Sequence, residues 1–206
     1  VSAGPVILAN AGVMSGKRMT VHWEHAPVLS ETSREIIIEQ SLYVIDRDRL
    51  TCAGGIAPLD MMHALITEHH GSEFARQVSD WFMHTDVRSS SGPQRAGFEE
   101  RYKTTNPSII IAIETMENHI ADPLDLVQLG EIVGISPRQL NRLFRSKLGK
   151  STMNFYLLLR LEKARKLLTY SRLSITEIAL ANGFSSSAHF ATSFRNAFGS
   201  TPSSLR

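Results

Sequence analysis

Two short stretches in the C-terminal half carry side chains suited to reading a nucleic acid. In the first, Arg138, Gln139, Asn141, Arg142 and Arg145 alternate with Leu140, Leu143, Phe144 and Leu148. In the second, Ser187, His189, Thr192, Arg195 and Asn196 alternate with Phe190, Ala191, Phe194 and Phe198. The apolar residues recur at helical spacing, so each stretch predicts a helix with one face in a core and the polar set outside. Arg, Asn and Gln carry paired donors and acceptors that match base edges in the major groove; Ser, Thr and His serve base or phosphate. An ordinary solvated face would account for one such helix. The same layout twice favours recognition.

The elements that must hold these helices are also repeated. LVQLGEIVGISPRQLNRLFR, from Leu126 to Arg145, and ITEIALANGFSSSAHFATSFR, from Ile175 to Arg195, are copies of one block. Leu126 pairs with Ile175, Leu129 with Ile178, Gly134 with Gly183 and Phe144-Arg145 with Phe194-Arg195, at an offset of 49 before the glycine and 50 after it. Each copy reads as a helix-turn-helix whose glycine serves a short turn needing positive φ. Asp125 with Gln128, Ser136 with Gln139 and Ser174 with Glu177 have capping-box spacing, in which the two side chains satisfy free amides at a helix start. Pro137 suits the first helical position, where a missing N–H costs nothing.

Between the copies, Leu157, Leu161, Ala164 and Leu168 predict an amphipathic linker helix over 152–169, with Arg160, Lys163, Arg165 and Lys166 on or near its polar side. Ahead of both, Asn106-Pro107 predicts a capped helix with Ile109, Ile113, Met116 and Ile120 as its buried stripe. The expected C-terminal domain, 105–206, is all-α with about seven helices. Its first head spans 125–148 and its second 174–198. Two heads on one chain could engage two half-sites without a dimer.

Charge is distributed in the same sense. Residues 99–206 hold 14 Lys/Arg against 9 Asp/Glu, and residues 1–98 hold 8 against 11. A basic C-terminal half beside a mildly acidic N-terminal half fits phosphate binding confined to one domain. No run of apolar residues is long enough for a membrane span, and the N-terminus lacks a secretory pattern. The single cysteine, Cys52, cannot form an intrachain disulfide. It is expected to be buried at a strand end in a reducing, cytoplasmic setting.

Residues 1–90 predict a helix over 6–11, strands over 19–21, 36–38, 42–45 and 50–52, and helices through Leu59–Ile66 and Phe74–Phe82. The Ser89–Arg95 stretch opens a linker over 91–104. So few strands make a poor sheet for burying two faces, and a portion in front is expected to be missing. His22 with His25, and His69 with His70, lack a Cys or carboxylate cluster at ligand spacing, so neither metal nor cofactor is expected.

Over about Thr105 to Arg206 the chain resembles the DNA-binding domain of the AraC family of bacterial transcription regulators. The most specific residues are Phe190, Phe194-Arg195, Phe198-Gly199, Thr201-Pro202 and Leu205-Arg206. Leu205 stands where the family usually has an aromatic, and Gly130 where it usually has alanine. An interior glycine costs about 1 kcal/mol relative to alanine, which predicts a softer first head. The resemblance implies reading helices in successive major grooves about 34 Å apart. Arg138, Asn141 and Arg142 would read bases from the first head, and Ala188, His189 and Thr192 from the second. Ala188 offers only a methyl, so the second head is expected to read less. Arg145, Ser151, Thr152 and Arg195 are expected phosphate contacts. Promoter DNA and RNA polymerase are the implied partners.

VSAGPVILANAG from Val1, TVHWEH from Thr20 and LTCAGGIAPLDMM from Leu50 resemble the class I glutamine amidotransferase-like (PfpI-like) sensor domain joined to AraC-type heads in one regulator subfamily. That resemblance implies a partial flavodoxin-like α/β sandwich, entered in mid-domain. Val1 is not a natural start residue, so an N-terminally truncated fragment is expected. Catalytic relatives place a cysteine on a strand-to-helix elbow. Ser2 stands there, a degenerate nucleophile position without an identifiable base; His22 is read as a strand-end histidine bonded to backbone.

The expectation is thus a sequence-specific, effector-responsive transcription regulator and not an enzyme. Its effector would be a small nitrogenous metabolite, an amino acid or quaternary amine whose catabolism it controls as an activator. Its N-terminal domain would be a route to a homodimer. An amidotransferase-like hydrolase with an accessory DNA-binding domain is the alternative, and a protein-interaction module a third reading.

Overall fold

The computed structural model describes residues 3–33 and 35–205. They form two compact units that divide between Arg95 and Ala96.

In the first unit, α1 (Gly4–Asn10), α2 (Ala26–Thr32) and α3 (Ala57–His70) each carry a proline in the first turn, where its fixed φ is already helical. Helix α2 is not expected from periodicity, although Ala26-Pro27 marks its start. Strands β1 (Arg18–Thr20) and β2 (Ile37–Glu39) flank α2 and pair in parallel, Met19 opposite Ile38. Strands β3 (Tyr43–Asp46) and β4 (Arg49–Cys52) form a hairpin with Val44 opposite Thr51. Arg47 turns this hairpin at φ +56°. Helix α4 (Ser72–Trp81) packs on α3.

The expected flavodoxin-like sandwich is not seen as a continuous parallel sheet: the described residues hold one β-α-β crossover and one hairpin. Side chains join them where a larger sheet would have a backbone ladder. The Thr20 N–H donates to Thr51 Oγ1 at 3.0 Å, Thr20 Oγ1 donates to the Ser41 carbonyl at 2.6 Å, and the Arg18 N–H donates to Asp46 Oδ2 at 2.8 Å. Met14, Met19, Val21 and Leu29 fill the core beside β1, and Cys52 is buried at the end of β4.

The Ser/Gly/Pro stretch is laced onto these strands. The Leu42 N–H donates to the Ser90 carbonyl at 2.7 Å, and Gln94 Nε2 donates to Ser41 O at 2.7 Å and Thr20 Oγ1 at 3.0 Å. Just before it, the fully buried Asp60 carboxylate gathers His84 Nε2 at 2.9 Å, the Arg88 N–H at 3.0 Å and Arg88 Nη2 at 2.6 Å.

In the second unit the residues expected as linker include α5 (Phe98–Tyr102), and Phe98 and Tyr102 pack on this unit's own core around Ile109 and Ile113. Six further helices follow: α6 (Pro107–Asn118), α7 (Leu126–Val133), α8 (Pro137–Leu148), α9 (Thr152–Tyr170), α10 (Ile175–Ala181) and α11 (Ser187–Phe198). A 3-10 turn, Pro202–Leu205, closes the chain. Asn106 Oδ1 accepts from the Ile109 N–H at 3.2 Å and starts α6, whose Ile109, Ile113 and Met116 are fully buried. With Leu129, Leu140, Phe144 and Tyr156 they make one core.

The expected α9 stripe holds at Leu161, Ala164 and Leu168, but Leu157 is only half-buried, while Tyr156 and Leu167 are buried. The helix lies against α6 and α8 as well as α10 and α11, so its buried surface winds around it.

Two glycines make room for close packing at the turns, Gly130 within α7 and Gly183 after α10. At Gly130 a Cβ would come 2.8 Å from the Ile135 carbonyl oxygen. The residue therefore lets the Ile135 backbone approach α7 closely. Gly183, at φ +70°, faces Pro123 Cδ at 2.6 Å, Ile120 O at 2.7 Å and Ala121 O at 2.9 Å from its would-be Cβ. The turn of the second head thus rests on the loop that enters the first. Arg160 braces it from α9: Nε donates to Asn182 O at 2.8 Å and Nη2 to Gly183 O at 2.5 Å, with the guanidinium 4.3 Å over the Phe184 ring. Tyr156 Oη donates to His119 O at 2.5 Å one turn earlier.

Two tests follow from these contacts. Gly183→Ala should destabilise the second unit by about 2–5 kcal/mol, combining left-handed strain with overpacking. Gly134→Ala, at φ +75° but in open space, should cost only about 1–2 kcal/mol; urea unfolding followed by helical circular dichroism compares them. Burial alone would raise the Asp60 pKa, but the hydrogen bonds from Arg88 and His84 outweigh it and hold the carboxyl below its ordinary value. Because the folded value is depressed, this stabilisation is present at neutral pH. It is lost as pH falls below about 3.9 and through the lower folded value. Both tryptophans, Trp23 and Trp81, lie in the first unit, so their fluorescence should report an acid loss of stability that Asp60→Asn lacks.

Candidate nucleic-acid interface

Each head begins on a satisfied cap. Asp125 Oδ1 accepts from the Val127 and Gln128 N–H groups at 2.8 and 2.9 Å, and Gln128 Oε1 accepts from the Asp125 N–H at 2.9 Å. Ser136 with Gln139 and Ser174 with Glu177 close the same reciprocal box. The fourth cap was not anticipated: Ser186 Oγ accepts from the His189 N–H at 3.2 Å and starts α11. Its signal was present, since Ser186 matches Ser136 at the offset of 50.

On α8, Leu140 and Phe144 are fully buried, while Arg138, Arg142 and Arg145 are exposed. With Ser136, Gln139, Asn141 and Ser146 they line one open groove along the helix. The helix carries four cations and no carboxylate, so the groove attracts anions. Gln139 Oε1 is occupied by its cap, 3.1 Å from the Ser136 N–H.

Asn141 is half-buried, and its Oδ1 accepts from the Thr152 N–H at 3.0 Å. Its oxygen is committed to the start of α9, which leaves Nδ2 as its outward donor. Thr152 is fully buried; its side chain lies inside the domain, away from any phosphate. Ser151 caps α9, accepting from the Asn154 N–H at 3.4 Å, and its hydroxyl hydrogen remains available.

On α11, Phe190 and Phe194 are fully buried, and Ala188, His189, Thr192, Arg195 and Asn196 are exposed. Phe198 is half-buried, with Arg165 of α9 5.0 Å from its ring centre and bonded to Glu162 at 2.9 Å. The His189 ring lies edge-on to Phe184 at 5.6 Å. Arg160, Asn182 and Phe184, which set the turn before α11, were missed as positioning residues. The sequence places Arg160 on or near the polar side of α9, and the fold turns its guanidinium inward to the Asn182 and Gly183 carbonyls. Burial lowers its pKa, yet an arginine remains cationic.

In the first unit, His22 Nδ1 accepts from the Glu24 N–H at 3.3 Å, a local loop bond. Ser2, matched to the nucleophile position, lies outside the described residues. Among the described residues no three His, Cys, Asp or Glu gather to hold a metal, and no helix is long and apolar enough to cross a membrane.

Residues 129–206 match a family model described as a helix-turn-helix domain. The whole chain is 46% identical over 206 residues to the HTH-type transcriptional regulator GlxA of Rhizobium meliloti and 40% identical over 206 residues to CdhR, an HTH-type transcriptional regulator of Pseudomonas aeruginosa. It spans 64% and 61% of their lengths. A crystal structure of a transcriptional regulator with an AraC-type DNA-binding domain, from Chromobacterium violaceum, is 43% identical, covers 50% of this chain and 91% of its own, and superposes with a TM-score of 0.48. Two capped helix-turn-helix copies and the family match over residues 129–206 make the C-terminal part of the second unit a helix-turn-helix domain, and the chain as a whole is similar to HTH-type transcriptional regulators.

Proposed function

We propose that the chain is a sequence-specific regulator that lays α8 and α11 into neighbouring major-groove segments of promoter DNA. The supporting observation is the pair of exposed polar helix faces, each started by its own cap and both braced on α9. Arg138 and Arg142 are the principal base readers of the first head, since arginine pairs bidentately with guanine. Asn141 contributes its remaining donor. Ala188, His189 and Thr192 face the second segment, and Arg145, Ser151 and Arg195 hold phosphates. Thr152 is left out of this set because it is buried.

The first unit is proposed as a sensor descended from amidotransferase-like domains and responsive to a small nitrogenous effector. Its support is the sequence resemblance together with the β-α-β crossover. An effector would act by favouring one presentation of the heads over another. Contact with RNA polymerase and association of two chains through the first unit belong to the same reading.

Arg142→Ala should weaken a site selected from random duplexes by about 1–3 kcal/mol and relax preference at one base pair. Arg145→Ala should weaken selected and random duplexes alike and reduce the salt dependence by about one ion. Equal losses on both duplexes for Arg142→Ala would reassign it to phosphate.

A further inference from the structure

The two reading helices put different chemistry at the same register. With their serine caps aligned, Ser136 on Ser186, Arg138 matches Ala188, Arg142 matches Thr192, and Arg145 matches Arg195. The phosphate-holding position at the third place is thus unchanged. The two positions nearer the helix start exchange guanidinium groups for methyls. Of the four cations on α8, Arg138, Arg142, Arg145 and Lys147, only the counterpart of Arg145 survives on α11.

Ala188 and Thr192 are both exposed, and residues four apart share one face of a helix. Between them, Phe190 points into the core and the His189 ring is drawn against Phe184. Beside the exposed His189, α11 therefore presents a strip made of the Ala188 methyl and the Thr192 methyl and hydroxyl. A protein methyl finds one matching feature in the major groove, the C5-methyl of thymine; other base edges there present polar atoms. A methyl set against those atoms would leave them without a hydrogen bond, at a cost. Water-free contact of methyl with methyl carries no such penalty and removes apolar surface from solvent.

We infer that α11 selects a thymine-rich half-site through the methyls of Ala188 and Thr192, while α8 selects guanines through Arg138 and Arg142; this rests on the DNA-reading function proposed above. The first head then supplies most of the charge-dependent affinity. The second supplies discrimination that is nearly independent of salt.

The test uses the intact 206-residue chain and duplexes selected from a random pool. The half-site whose preference relaxes in Arg142→Ala belongs to α8, and the other to α11. Each thymine of the α11 half-site is then replaced by deoxyuridine, which removes the C5-methyl alone. Fluorescence anisotropy should show about a three- to fivefold loss for each contacted methyl, equal at low and high salt, and little change for replacements in the α8 half-site. Thr192→Ser should abolish the loss at one thymine, while Thr192→Val, which keeps the methyl and drops the hydroxyl, should retain it. Each comparison is made within one protein, so altered stability cancels. A G·C-rich α11 half-site, or deoxyuridine without effect on a site still bound selectively, would overturn the inference. If no sequence is selected and Arg142→Ala changes no preference, the DNA-reading proposal falls with it.

Discussion

Arg160 closes the turn of the second head from outside that head. Its guanidinium holds the Asn182 and Gly183 carbonyls, which lie at the C-terminal end of α10, where a cation is favoured by the free carbonyls and the helix dipole. The same turn has its glycine pressed on the Ile120–Pro123 loop, which runs directly into the first head. Linker helix, second turn and first entry loop thus share one contact region. The placement of α11 relative to α8 follows from that contact more than from any property of either reading helix.

Helix α9 can serve as a brace because it is not the one-sided amphipathic rod that its leucine pattern suggests. Tyr156 belongs to the core under the first head, while Leu161, Ala164, Leu167 and Leu168 are buried further along, where α10 and α11 meet the helix. Tertiary packing on several sides, and not intrinsic propensity, holds such a helix rigid. Asn141 extends the arrangement. A side chain on the reading face fastens the start of the brace, so the recognition surface and its support are joined by a hydrogen bond.

What could be read beforehand was local. Capping boxes at Asp125, Ser136 and Ser174 lie within four residues, and all three are present. The apolar stripes of α6, α8 and α11 are also properties of one helix at a time. The contacts of Arg160, Asn141 and Gly130 are not legible locally because they are set by partners elsewhere in the chain or across a turn: a carbonyl 22 residues away, a helix start 11 residues on, and the Ile135 oxygen. In the first unit the strands were legible singly. Their partners were not, since strand pairing depends on register and topology and the join is made by Thr20, Thr51 and Asp46 side chains. Helix α2 is seven residues long and lacks a side-chain cap, so little beyond its proline marks it locally.

The duplication is imperfect at one place. After its glycine the first turn reaches its serine cap through Ile135 alone, whereas the second passes through Phe184 and Ser185 before Ser186. The extra residue is absorbed before the cap: Phe190 and Phe194 match Leu140 and Phe144 at the same offset of 50 as the serines, and all four are fully buried, so the copies differ in their turns and not in helix register. A chimera that transplants α11 in place of α8 from the serine onward would therefore keep its phenylalanines turned inward and need not bring Ser185 along.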